Sequence, residues 1–172
     1  MANFIASPGD FLRGSIKVPG DKSISHRSIM LGSIANGVTN VSGFLEGEDS
    51  LATLNAFKDM GVKIEREGSN VVINGVGMNG LRPSLKPLNL GNSGTSIRLM
   101  TGLLSAQSFD STLCGDESLS KRPMARIIDP LSEMGAIIKS SDSMPPLSIS
   151  GNQKLSALKY TLPVASAQIK SC

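Results

Sequence analysis

Pro19-Gly20-Asp21-Lys22-Ser23-Ile24-Ser25-His26-Arg27 is a polar stretch set between two apolar ones. Upstream, Ser15-Ile16-Lys17-Val18 alternates as a strand does; downstream, Ile29-Met30-Leu31-Gly32-Ser33-Ile34-Ala35 has the apolar density of a packed helix. The reading is strand, turn, helix, with the helix over residues 23–35 and Gly37 as its stop. A helix start points unpaired N–H groups outward, so Lys22 and Ser23 lie where an anion would sit. Arg27 returns to the same side one turn later. The pattern predicts a phosphate or carboxylate cradle without the glycine spacing of a P-loop.

Outward from this stretch the chain repeats itself. Residues 4–18 predict short strands around a turn at Pro8-Gly9-Asp10. After the first helix come a strand over 38–44, a helix over 51–60 with acids at its positive end, and two strands over 62–65 and 71–74. The order then recurs: a strand at 88–90, a turn at Gly91-Asn92-Ser93-Gly94-Thr95, a helix over 96–106 and a strand over 109–114. A helix opening at Leu119-Ser120-Lys121-Arg122-Pro123-Met124 and ending at Met134-Gly135, then strands over 136–139 and 147–150, close the second copy. The period of roughly 72 residues is longer than that of ordinary solenoids and fits a βαβαββ unit. The expected class is therefore α/β (α+β), with units at about 14–80 and 81–152 and the start of a third at 153–172. That third copy holds one strand and one helical turn, too little to cover its own apolar face, so exposed apolar surface is expected there.

Composition narrows the chemistry. The chain has 172 residues, 40% of them hydrophobic, a net charge of +3, 3% aromatics, two cysteines and one histidine. No apolar run is long enough to span a membrane, and the first ten residues lack a secretory pattern. Cys114 and Cys172 make no disulfide framework, and a single histidine without paired cysteines makes no zinc site, so no metal is expected. A reduced, cytoplasmic setting follows. Dispersed positive charge and scarce aromatics argue against a nucleic-acid partner.

Each copy opens with a small, polar turn before an apolar helix: Asp21-Lys22-Ser23, Asn92-Ser93-Gly94-Thr95 and Ala165-Ser166-Ala167-Gln168. Taken singly, a serine there is ordinarily an N-cap and a glycine ordinarily serves turn geometry. Taken with Lys22, Arg27, Arg98 and Arg122, the starts predict a cleft for a ligand with more than one negative group. Gly94 lets such a ligand approach the backbone. Arg122, read at the start of a helix where a cation is disfavoured, calls for a compensating anion; the plainer alternative is a surface arginine paired with Asp116 or Glu117.

Lys22-Ser23-Ile24-Ser25-His26-Arg27, Gly91-Asn92-Ser93-Gly94-Thr95-Ser96-Ile97-Arg98, Lys121-Arg122-Pro123-Met124 and Ala165-Ser166-Ala167-Gln168 together resemble the EPSP synthase (3-phosphoshikimate 1-carboxyvinyltransferase) family, in order and over essentially the whole chain. The resemblance implies transfer of the enolpyruvyl group from phosphoenolpyruvate to the 5-hydroxyl of shikimate 3-phosphate, in aromatic amino acid biosynthesis, with no metal or organic cofactor. It implies that Lys22 touches both substrates and is the catalytic cation. Ser23, Arg27, Ser166 and Gln168 are expected at shikimate 3-phosphate; Gly94, Arg122 and Gln168 at phosphoenolpyruvate. Asp49, Asn92, Thr95 and Ala167 are expected behind them, Ala167 standing where many relatives carry a second serine. Arg98 is expected to be structural and His26 a helix residue beside the site.

The family fold has two domains of three βαβαββ units. Residues 1–13 are expected to belong with a second domain, and 14–172 to form an incomplete first one. The second domain, with the expected proton acceptor, is absent from these residues, so the chain alone is expected not to turn over and to need the missing half; the full-length enzyme is expected to be a monomer. Gly94 leaves room for glyphosate, and Leu99 could shift its helix. Two rivals are a UDP-N-acetylglucosamine enolpyruvyl transferase, which lacks the Lys-Ser-x-Ser-x-Arg pattern, and a nucleic-acid-binding module built from the same unit.

Overall fold

The computed structural model describes residues 4–5, 7–9, 11, 13–162 and 165–172. Its elements are α1 (Lys22–Ile34), β1 (Asn36–Val41), α2 (Glu48–Asp59), β2 (Lys63–Glu67), β3 (Asn70–Val76), β4 (Leu88–Asn89), α3 (Gly94–Ser105), β5 (Ser111–Cys114), α4 (Glu117–Ser120), α5 (Ala125–Glu133), β6 (Ile138–Ser141), β7 (Met144–Ile149) and α6 (Ala167–Ser171). They build two sheets of order β1-β3-β2 and β4-β5-β7-β6. All pairings are antiparallel except β4 with β5. The mixed α/β class therefore holds, and the order helix, strand, helix, strand, strand occurs twice, with the second helix of the second copy split into α4 and α5.

Local chemistry sets the element ends. Asp21 caps α1, its carboxylate accepting from Ile24 N at 2.7 Å. Ser93 caps α3, accepting from Ser96 N at 3.1 Å. Each cap meets one of the donors a helix start leaves open. Gly68, at φ +54°, makes the turn between β2 and β3, a conformation that costs glycine little.

Several expectations fail, among them the strand of the third copy, since none forms among the described residues of 153–172. No strand forms among the described residues of 4–18: Phe4, Phe11 and Ile16 are each at least 90% exposed, and an extended segment with no bonded neighbour gains no ladder. The first unit thus opens directly on α1, while the second opens on β4. Gly37 does not end the first helix; α1 stops at Ile34, Ala35 is extended, and Gly37 lies inside β1. The single helix expected over 119–134 is two, α4 and α5, interrupted at residues 121–124. Pro123 explains the break, since it has no N–H to give and biases Arg122 away from helical geometry. Finally, α3 begins at Gly94 rather than Ser96.

One hydrophobic core joins the two units. Ile29, Phe57, Met60 and Ile73 meet Leu88, Leu90, Ile97, Met100 and Leu113, all essentially fully buried. Ile169 and Cys172 pack against this core from α6, so the opening turn of the third copy is seated rather than loose. A Cβ on Gly102 would fall 2.3 Å from the Cys172 carbonyl carbon, so α6 lies directly on the backbone of α3. The large exposed apolar side chains concentrate instead at residues 4–18.

Candidate anion-binding site

Helices α1, α3 and α6 start at the same end of the molecule. His26 on the second turn of α1 reaches Ser96 on α3 at 3.1 Å. Gln168 on α6 donates to Thr95 Oγ1 at 3.2 Å, and its Oε1 accepts from Arg98 Nη1 at 3.2 Å. Arg27 Nη2 reaches Ser171 Oγ at 3.4 Å. Positive helix ends and cations thus gather on one face.

The tightest cluster surrounds Gly94. Arg98 Nη1 donates to Gly94 O at 3.0 Å. A Cβ on Gly94 would lie 2.9 Å from Arg98 Nη1 and 3.0 Å from Arg122 Nη1. The missing side chain is therefore what lets two guanidinium groups close on the α3 start. Arg122 donates to Asn92 Oδ1 and, at 3.5 Å, to Ser118 Oγ. Asn92 in turn donates to Asp116 Oδ2 at 2.8 Å. The ion pair that would make Arg122 an ordinary surface residue is not formed: Asp116 is engaged by Asn92 and by Leu119 N, and Glu117 pairs with Lys121. Arg122 lies in the break between α4 and α5, not at a helix start as expected. What stands is a cation whose recorded partners are both neutral.

Charge crowding marks the cluster. Partial burial first, then Arg122 and Arg126, hold Arg98 below its ordinary arginine value. Hydrogen bonds from Leu119 N and the Asn92 amide, with a smaller contribution from Arg122, keep the Asp116 carboxyl below the usual carboxylate range. Like charges placed together without carboxylate partners are the electrostatic form of an anion site.

A second cluster lies at the start of α1. Lys22 pairs with Asp49 on the first turn of α2. Its side chain is half exposed, which leaves donors free toward solvent. Ser23 is exposed on the same turn. Ser166 caps α6, accepting from Ile169 N at 3.4 Å, and Ala167 is the first residue of that helix.

The link between the clusters is absent from the sequence reading. His26 is fully buried, not a bystander, and its Nδ1 lies 2.8 Å from Thr53 Oγ1. Thr53 Oγ1 is 2.5 Å from Ser96 Oγ, which is 2.6 Å from Ser93 Oγ. The available signal was a serine, threonine or histidine among the apolar positions of a helix, at 26, 53 and 96, with the cap Ser93 beside them.

The comparisons identify the family. The family model described as EPSP synthase (3-phosphoshikimate 1-carboxyvinyltransferase) matches residues 6–172. A protein of Ruthia magnifica subsp. Calyptogena magnifica named 3-phosphoshikimate 1-carboxyvinyltransferase is 66% identical over the whole chain, which covers 40% of that relative. One of the same name from Nitrosococcus oceani is 59% identical over 98% of the chain, again covering 38% of its own length. The solved EPSP synthase of Acinetobacter baumannii superposes with a TM-score of 0.88 at 60% identity, over 92% of this chain and 36% of that one. The chain spans about 40% of the length of the curated relatives it matches. Motifs in order, a repeated unit, a cationic glycine-centred helix start and these matches lead to one statement: the chain belongs to the EPSP synthase (3-phosphoshikimate 1-carboxyvinyltransferase) family.

Proposed function

We propose that this chain binds shikimate 3-phosphate and phosphoenolpyruvate side by side and forms one wall of an enolpyruvyl transfer site. The observation that carries the reading is the crowding of Arg98 and Arg122 against the buried Gly94 helix start, where a side chain would collide with both guanidinium groups. Arg122 grips the anionic groups of phosphoenolpyruvate by charge-assisted hydrogen bonds, and Gly94 lets them reach the α3 backbone. Ser23, Arg27 and Ser166 hold shikimate 3-phosphate. Gln168, already between Thr95 and Arg98, stands between the two ligands.

In the transfer, the 5-hydroxyl gives up its proton to an acceptor expected in the remaining chain as its oxygen bonds to C2 of phosphoenolpyruvate, and C3 takes a proton. The tetrahedral adduct then loses a C3 proton and its phosphate, restoring the double bond as an enolpyruvyl ether. Negative charge remains on the phosphates and carboxylates throughout. Lys22, half exposed beside Asp49, moves with the developing charge and stabilises it.

Residues 1–172 by themselves bind these ligands without turnover, since the chain spans about 40% of its relatives' length and Asp49, the carboxylate at the Lys22 position, is engaged as an ion-pair partner. The working protein is a cytoplasmic monomer once its remaining chain is present, and glyphosate competes in the space beside Gly94. Calorimetric titration tests the reading. Shikimate 3-phosphate binds the wild type, phosphoenolpyruvate binds in its presence, and Arg122→Ala weakens the second step about 10- to 100-fold, the worth of a hydrogen bond to a charged group. Phosphate release by the 172-residue chain, or an unchanged second step in Arg122→Ala, contradicts it.

A further inference from the structure

Helices α1, α2 and α3 meet at His26, Thr53, Ser93 and Ser96, all fully buried. The donors there can be counted, because each hydroxyl has one proton. Thr53 Oγ1 donates to Asp49 O at 3.1 Å, so toward the histidine and Ser96 it accepts. Ser96 Oγ then donates to Thr53, and Ser93 Oγ donates to Ser96. Every hydroxyl proton is placed in this run. It closes on the ring if Nδ1 carries the imidazole proton and donates to Thr53 at 2.8 Å, with Ser96 Oγ a longer 3.1 Å away.

That arrangement leaves Nε2 as a buried acceptor with no hydrogen-bond partner. The opposite tautomer would leave a buried N–H without one, and orphaned donors are rarer than under-satisfied acceptors. The groups facing the ring are Lys22 and Arg27 on α1 and Asp49 on α2. Burial lowers the imidazole pKa; Asp49 opposes this and the two cations reinforce it, so the ring is neutral and has one proton to place.

The two ends of the run are the interesting ones. One is the backbone carbonyl of Asp49, whose side chain holds Lys22. The other is Ser93, the cap immediately before Gly94. We propose that His26 is a positioning residue for the anion site: by donating from Nδ1 to Thr53, it fixes the α2 start that carries Asp49 against the α3 start that carries Gly94, so that Lys22 and Gly94 keep one spacing. The proposal rests on the reading that these two residues face one ligand pair.

The experiment uses the 172-residue chain. An asparagine amide stands as far from the backbone as Nδ1, and a glutamine amide as far as Nε2. His26→Asn therefore keeps the bond to Thr53 and His26→Gln loses it. Shikimate 3-phosphate affinity in His26→Asn stays within about threefold of the wild type and falls about tenfold in His26→Gln, the worth of one buried hydrogen bond. A ligand-free readout runs beside it: the Gly94 amide resonance moves in His26→Gln and in Thr53→Val, and holds in His26→Asn. In the wild type, the imidazole nitrogen spectrum shows the proton on Nδ1. A proton on Nε2, equal displacement of Gly94 in the asparagine and glutamine variants, or no displacement in Thr53→Val overturns the proposal. If the wild type takes up no shikimate 3-phosphate while the resonances behave as stated, the ligand reading fails and the positioning role stands.

Discussion

The two units of this chain carry the same run of elements but enter them differently. The second starts on β4, where Leu88 and Leu90 are at most 1% exposed and β5 supplies a parallel ladder. The first has an equally alternating segment, Ser15-Ile16-Lys17-Val18, yet Ile16 is 90% and Val18 70% exposed and no ladder forms. Alternation states which faces a strand would have; it does not supply the edge or the cover. The helix starts differ in the same sense. Ser93 caps α3 from a fully buried position within a hydroxyl cluster, whereas Asp21 caps α1 at the surface. The molecule therefore presents one buried helix start, with Gly94, beside a more exposed one, with Lys22.

The largest effect that would break this contrast is on the strands. Leu88→Ala removes a fully buried side chain and costs about 2–5 kcal/mol, while Ile16→Ala stays within about 0.5 kcal/mol. Urea unfolding of both variants checks it, and equal losses would mean that Ile16 is buried in solution. Next come the caps. Ser93→Ala costs about 1–2 kcal/mol and Asp21→Ala about 0.5–1 kcal/mol, read as midpoint shifts in the same titration. The reverse order would make α1 the more strongly capped start.

The smallest effect sharpens the junction between the units. His26 is buried and its folded pKa lies below its ordinary 6.5. The unfolded chain takes the proton first, so this contribution to stability is complete above about pH 6.5 and is lost as pH falls toward the lowered folded value. Denaturant midpoints measured from pH 8 down to 5 decline more in the wild type than in His26→Asn, which has no group titrating there. Parallel curves would count against a buried neutral ring.

How much of this was legible follows from how local each signal is. Most helix starts were, since Asp21, Ser93 and Ser166 lie in the small polar turns that open each copy and each is an observed cap. So was the gathering of Gly94, Thr95, Arg122 and Gln168, through the motifs that carry them. The break at Pro123 was visible as a residue but read as a helix opening, because proline suits a first turn as well as an interruption. The unpaired state of residues 15–18 could not be read, since pairing depends on a neighbour distant in sequence. Nor could the His26 junction, whose partners Thr53 and Ser96 lie 27 and 70 residues away on two other helices. A lone histidine in an apolar helix carries no mark of the hydroxyl groups it will meet.

The close seat of α6 on Gly102 has a consequence for how Gln168 is held. The short helix is pinned at its far end, where Cys172 Sγ bonds Arg98 O at 2.9 Å and its backbone rests against a position with no side chain. A single methyl at 102 would act as a wedge, tipping α6 off α3 and drawing Gln168 out of reach of Thr95. The reach of the Gln168 amide is thus governed from the opposite end of its own helix, by a hydrogen atom where another residue would carry carbon.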